Sequence, residues 1–213
     1  MRRTRVKLCG ITRAEDGVAA AAAGVDAIGL VFYPPSARFV TTDQAAEILA
    51  ALPPLVTTVG LFVGADPQQV RAVLAALPLD ILQFHGSESA AYCESFGRPY
   101  IKAVAMADTD DVLAYSRQHP AARALLLDSH GGGRIGGTGE RFDWQRIPPQ
   151  LDKPVILAGG LNPDNVTAAI RQVRPYAVDV SSGVEVTKGI KDNRRVNAFM
   201  CSVTGLHNDA TNA

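Results

Sequence analysis

Pro154-Val-Ile-Leu-Ala-Gly-Gly-Leu-Asn-Pro163 is the stretch that decides the fold. The β-rich run Pro154–Ala158 ends in a glycine pair, and Asn162 then stands before Pro163. A cap residue before a proline is a helix start, because the missing proline N–H costs nothing in the first turn. A strand, a donor-rich turn and a helix start this late in the chain fit the phosphate corner that barrels build after strands seven and eight. A dinucleotide-binding open sheet carries its glycines after the first strand. That open doubly wound sheet is the runner-up.

Seven more β-rich runs surround this one: Arg5–Cys9, Asp26–Phe32, Val56–Val63, Asp80–Phe84, Tyr100–Val104, Arg123–Asp128 and Ala177–Ser181. Helical stretches separate most of them. Thr12 with Glu15 makes a capping box, and Asp108 with Asp111 a weaker acidic one. Asp66-Pro67 is a second cap-and-proline start, and Gly24 ends the alanine-rich first helix. Eight alternating units predict an α/β fold, a single closed (β/α)8 TIM barrel spanning residues 1–204. The sixth unit departs from the pattern. A glycine-rich loop, Ser129 to Arg141, follows its strand and reads as a mobile flap over the barrel mouth, with a weak helical signal around Phe142–Arg146. Residues 205–213 are polar and are expected to form a disordered tail.

Composition narrows the function. The 213 residues carry 21 Lys+Arg against 21 Asp+Glu, a net charge of +0, which removes the electrostatic case for nucleic acid or an anionic membrane. No apolar run reaches the ~20 residues of a membrane helix, and the N-terminal stretch does not read as a signal peptide. Cys9, Cys93 and Cys201 are odd in number and share no CxxC spacing, so they read as free thiols in a reducing cytoplasm. No histidine or cysteine pair has metal-ligand spacing, and the Gly-Gly-Thr-Gly run at 136–139 lacks the Lys-Ser/Thr of a P-loop. Neither a metal nor a nucleotide cofactor is expected.

In a barrel, chemistry lies where the strands end. Strand one alternates Val6 and Leu8 outward with Arg5, Lys7 and Cys9 inward, which brings a thiol to the top of the barrel. Strand four turns Gln83 and His85 inward, and the apolar strand six stops at the carboxylate of Asp128. Cys9 and Asp128 would face each other across the mouth, a pair able to divide base and acid duties. The bland alternatives are a buried apolar thiol and a turn-capping carboxylate. Gly159, Gly160, Ser181 and Ser182 end two neighbouring strands in small, donor-rich residues and suggest a phosphate site rather than two ordinary turns. Arg38, in the loop after strand two, could fork a carboxylate or lie on the surface.

These residues sit in motifs that resemble the phosphoribosylanthranilate isomerase family of tryptophan biosynthesis. The matching segments include Lys7-Leu-Cys-Gly-Ile-Thr12, Gly29-Leu-Val-Phe-Tyr-Pro-Pro-Ser36 with Arg38, Leu82-Gln-Phe-His-Gly86 and Leu125-Leu-Leu-Asp-Ser129. They continue with Leu157-Ala-Gly-Gly-Leu-Asn-Pro163, Val178-Asp-Val-Ser-Ser-Gly-Val-Glu185 and Gly189-Ile-Lys-Asp192. The resemblance implies a cofactor-free Amadori rearrangement of N-(5-phosphoribosyl)anthranilate, an aminoaldose, to an aminoketose. It casts Cys9 as general base and Asp128 as general acid, and Arg38 as the group gripping the anthranilate carboxylate. Gly159, Gly160, Ser181 and Ser182 match its phosphate-binding segments, while His85 and Asp179 match motifs at the substrate. Ala37 replaces a frequent proline, Glu140 a frequent lysine, and Gly131-Gly-Gly133 loosens the flap. A related barrel isomerase of histidine synthesis uses aspartates for both roles, and Cys9 with the Arg38 loop argues against it. The expected partner is that small-molecule substrate, with no nucleic acid or membrane, for a cytoplasmic protein that is a monomer or homodimer.

Overall fold

The computed structural model describes residues 3–129 and 142–211. Eight parallel strands close a barrel in chain order, with the first paired to the last. They are β1 Arg5–Cys9, β2 Ala27–Val31, β3 Thr57–Phe62, β4 Ile81–Phe84, β5 Tyr100–Ala105, β6 Ala124–Asp128, β7 Val155–Leu157 and β8 Ala177–Val180. Among the described residues six helices lie between strands: α1 Ala14–Ala22, α2 Thr42–Ala51, α3 Pro67–Ala76, α4 Ala90–Glu94, α5 Val112–Gln118 and α6 Val166–Val173. A two-stranded antiparallel hairpin, β9 Glu185–Thr187 and β10 Ile190–Lys191, follows β8 and leads into α7, Asn193–Thr211. Between β6 and β7 the described residues form only a 3-10 turn, Trp144–Arg146. The expected flap, with Gly131–Gly139 and Glu140, lies outside the described residues.

Strand alternation sorts the core into two layers. Val6 and Leu8 of β1, Ile28 and Leu30 of β2, Leu82 and Phe84 of β4 and Val178 and Val180 of β8 face outward and pack with Ile48, Val70 and Val166 from the helices. The barrel interior is filled by Ile101, Ala103, Ala124, Leu126, Ile156 and Ala177. Strand β6 is apolar on both faces, with Leu125 and Leu127 outward and Ala124 and Leu126 inward. The same alternation turns Asp128 inward at its end.

Helix starts show where local signals compete with tertiary ones. Asp66 caps α3 through Gln68 N, with Pro67 in the first turn. Thr41 and Gln44 form a reciprocal capping box on α2 that the sequence reading did not pick out. Thr12 and Glu15 do not form theirs. The cap position is Arg13, and the Thr12 hydroxyl donates to the Gly189 carbonyl at 2.5 Å, tying the loop after β1 to the hairpin. Asp111, not Asp108, caps α5: the helix begins at Val112, and the Asp111 carboxylate accepts from Ala114 N at 2.9 Å. Asn162 accepts from Asp164 N and Asn165 N, an Asx turn that leads into α6 one turn later. Gly24, with φ +88°, follows the end of α1 as expected. The last helix runs on through Gly205 to Thr211, into the segment expected as a tail. One interior glycine costs only about 1 kcal/mol, and no proline follows to stop the helix.

Candidate active site

The nine residues singled out from the sequence line one cavity at the C-terminal ends of the strands. Cys9, Arg38, His85, Asp128, Gly159, Gly160, Asp179, Ser181 and Ser182 all border it, around about 740 Å³ of empty space that includes its open mouth. Val31, Tyr33, Leu61 and Val63 form an apolar wall beside Cys9.

Cys9 ends β1 and is 7% exposed. Burial pushes its thiol up, and the nearby Lys7 cation opposes that. Lys7, two residues back on the same inward face, is itself buried and donates to Asp179 Oδ1 at 2.9 Å. Burial works against its charge, yet Asp179 and Cys9 together hold it protonated, pushed up to about 12. On the β4–β6 side, His85 Nε2 lies 3.4 Å from Asp128 Oδ2, and Gln83 Nε2 lies 2.9 Å from His85 Nδ1.

Arg38 is not a loose surface arginine. Its guanidinium forks Glu185, Nε to Oε1 at 2.8 Å and Nη2 to Oε2 at 2.7 Å. Lys191 Nζ shares that carboxylate at 2.8 Å and also donates to the Cys9 carbonyl at 2.6 Å. Burial disfavours the Glu185 anion, but Arg38 and Lys191 outweigh it and hold the carboxyl below its ordinary value. The hairpin thus ties together the ends of β1, β2 and β8. Lys7, Glu185 and Lys191 were not assigned roles from the sequence. For Lys7 the inward alternation of β1 was the available signal. For Glu185 and Lys191 it was only their place in the matching motifs.

The glycine corner is built from backbone. Gly159 and Gly160 have φ of +85° and +63°, consecutive left-handed residues that only glycine adopts without strain. A Cβ on Gly159 would run into Ser129, and one on Gly183 into the Leu161 carbonyl. The loops after β6, β7 and β8 therefore meet backbone to backbone, with Ser181 and Ser182 at the junction. The described residues hold no group of three His, Cys, Asp or Glu side chains able to bind a metal ion.

The family described as N-(5'phosphoribosyl)anthranilate (PRA) isomerase matches residues 6–202. The chain belongs to this family. The N-(5'-phosphoribosyl)anthranilate isomerase of Pseudomonas fluorescens is 59% identical over 199 residues, covering 93% of this chain and 95% of that one. The crystal structure of phosphoribosyl anthranilate isomerase from Thermus thermophilus aligns with a TM-score of 0.86 at 36% identity, over 95% of this chain and 100% of that one. A family structure in complex with reduced 1-(o-carboxyphenylamino)-1-deoxyribulose 5-phosphate aligns with a TM-score of 0.78 at 36% identity, over 95% and 99% of the two chains.

Proposed function

We propose that this family member converts N-(5'-phosphoribosyl)anthranilate to 1-(2-carboxyphenylamino)-1-deoxyribulose 5-phosphate, using Cys9 as general base and Asp128 as general acid. As a family member the chain is an isomerase of the aldose–ketose type, in the tryptophan pathway. The observation that carries the division of roles is the single cavity bordered by both groups, one at the end of β1 and one at the end of β6.

The Asp128 carboxyl protonates the ribose ring oxygen, the C1–O bond breaks, and the anthranilate nitrogen carries the resulting Schiff base. The Cys9 thiolate then takes the C2 proton, and the electrons of that C–H bond flow toward nitrogen to give an enolamine. Loss of the C2 hydroxyl proton and protonation at C1 give the aminoketose. Both catalytic groups return to their starting protonation states by exchange with solvent. The apolar wall of Val31, Tyr33, Leu61 and Val63 suits the aromatic ring, Arg38 its carboxylate, and the corner of Gly159, Gly160, Ser181 and Ser182 the phosphate. His85 and Asp179 complete the substrate-facing rim. No step requires a metal or cofactor. We further propose a cytoplasmic enzyme acting as a monomer or homodimer, which sedimentation velocity tells apart.

Anthranilate derivatives fluoresce, so substrate consumption can be followed directly. EDTA-treated, dialysed protein is expected to turn over at full rate. Cys9→Ser keeps the size but is too weak an acid to form the base, so it is expected to be nearly inactive, with Cys9→Asp partly active. Wild-type kcat in Cys9→Ser, or a need for a divalent ion, would overturn the mechanism.

A further inference from the structure

The first strand delivers two groups to the barrel interior, two residues apart on one face: the Lys7 ammonium and the Cys9 thiol. Lys7 is 3% exposed and is anchored across the β1–β8 register pair by Asp179. The register partner of Cys9 on the other side is Gly29 of β2. A Cβ placed on Gly29 would lie 2.8 Å from Cys9 Sγ and 3.1 Å from Lys7 Nζ. The ammonium and the sulfur therefore border the same methyl-sized space, which exists because residue 29 has no side chain. Those two distances keep Lys7 Nζ within about 6 Å of Cys9 Sγ, and the Lys7 charge opposes the burial that pushes the thiol up.

We propose that Lys7 is a positioning residue for the reaction: its buried ammonium, anchored by Asp179, holds Cys9 as a thiolate and aims its sulfur, and Gly29 leaves the room in which the two meet. The proposal rests on Cys9 being the base. A thiol buried against Val31 and Leu61 resists ionisation, so a working base at this position needs a fixed cation beside the sulfur. The other charged groups around Cys9 are already committed. Lys191 of β10 spends its donors on the Cys9 and Ser181 carbonyls and on Glu185. Arg38, from the loop after β2, is forked by Glu185. Asp179, from β8, has the wrong sign for an anion: it orients Lys7, while its own charge works against the thiolate. An ammonium carries three protons, of which Asp179 takes one, so Lys7 keeps donors for the sulfur. A compact ammonium also suits this narrow space better than a guanidinium.

The test reads Cys9 ionisation apart from activity. Alkylation by iodoacetamide is measured against pH, with peptide mapping to separate Cys9 from exposed Cys201 and buried Cys93. In Lys7→Met the Cys9 midpoint is expected to rise by one pH unit or more. Alkylation and kcat/KM at pH 7 then fall at least 10-fold, and both recover as pH is raised. In Asp179→Asn the midpoint moves the other way. Because Lys7→Met leaves Asp179 unpaired and can cost the fold, the double variant Lys7→Met/Asp179→Asn removes both charges. Its midpoint is still expected above that of the wild type. An unchanged Cys9 midpoint, or a loss of activity equal at every pH, would overturn the role of Lys7. A shifted alkylation midpoint with an unshifted kcat/KM profile would instead remove Cys9 as the base, and the positioning role with it.

Discussion

Arg38 and Glu185, 147 residues apart in the chain, form a buried two-point ion pair at the rim of the cavity. A forked pair fixes the plane of the guanidinium, so the carboxylate of the hairpin sets the direction in which Arg38 faces the cavity. Arg38→Ala is expected to raise KM about 10- to 150-fold, the loss of a charge-assisted pair of about 1.5–3 kcal/mol, with little change in kcat. Glu185→Gln weakens the fork without removing Arg38, so KM should rise by a smaller factor. Glu185→Gln should also lower the melting temperature, because Arg38 and Lys191 then lose their shared counter-charge in a buried place. An unchanged KM in both variants would separate this pair from substrate binding.

How legible this arrangement was in the sequence depends on the distance over which each residue finds its partner. The eight strands were readable to within a residue or two, because alternation and turn residues act locally. Strand β6 shows why: its apolar run can only be buried on both faces, and the carboxylate that ends it must sit at the mouth. Thr12 shows the opposite case. Its local capping signal gave way to a carbonyl 177 positions away, a partner that no window of sequence displays. The Glu185–Lys191 cluster was hidden for the same reason, since its worth comes from Arg38 and the Cys9 backbone meeting it across the closed barrel.

Asp128 offers a test of the acid role. His85 Nε2 lies 3.4 Å from its Oδ2, so a carboxamide would keep the shape and much of the contact while removing the proton donor. Asp128→Asn is expected to lose about 10²–10⁴-fold in kcat with KM nearly unchanged. Initial-rate kinetics showing most of the wild-type kcat would take Asp128 out of the chemistry.

His119 should govern acid stability away from the site. It is buried against the rings of Tyr100 and Tyr115, and burial, with Lys102 nearby, pushes it down to about 4. The unfolded chain takes up this proton below about pH 6.5, whereas the fold refuses it until about pH 4. Between those values the unfolded state binds more protons, so stability falls as pH falls. This one group should cost about 2 kcal/mol between pH 7.5 and pH 5. Denaturant titrations of wild type and His119→Phe at the two pH values check this. The same pH loss in both proteins would assign acid sensitivity to other groups.

The glycine corner can be tested against an internal control. Gly97 has φ +61° and nothing within 4 Å of where a Cβ would stand, whereas Gly159 has φ +85° and Ser129 in the way. Both alanine variants carry the left-handed strain of about 1 kcal/mol, and thermal melts should show a comparable loss for each from that source. Only Gly159→Ala must also push apart the loops after β6 and β7, the backbone that would cradle a phosphate. Gly97→Ala is therefore expected to keep wild-type kcat and KM. Gly159→Ala should raise KM at least 10-fold and weaken competitive inhibition by inorganic phosphate to the same degree. If phosphate inhibits Gly159→Ala as well as it inhibits Gly97→Ala, the phosphate site lies elsewhere on the rim.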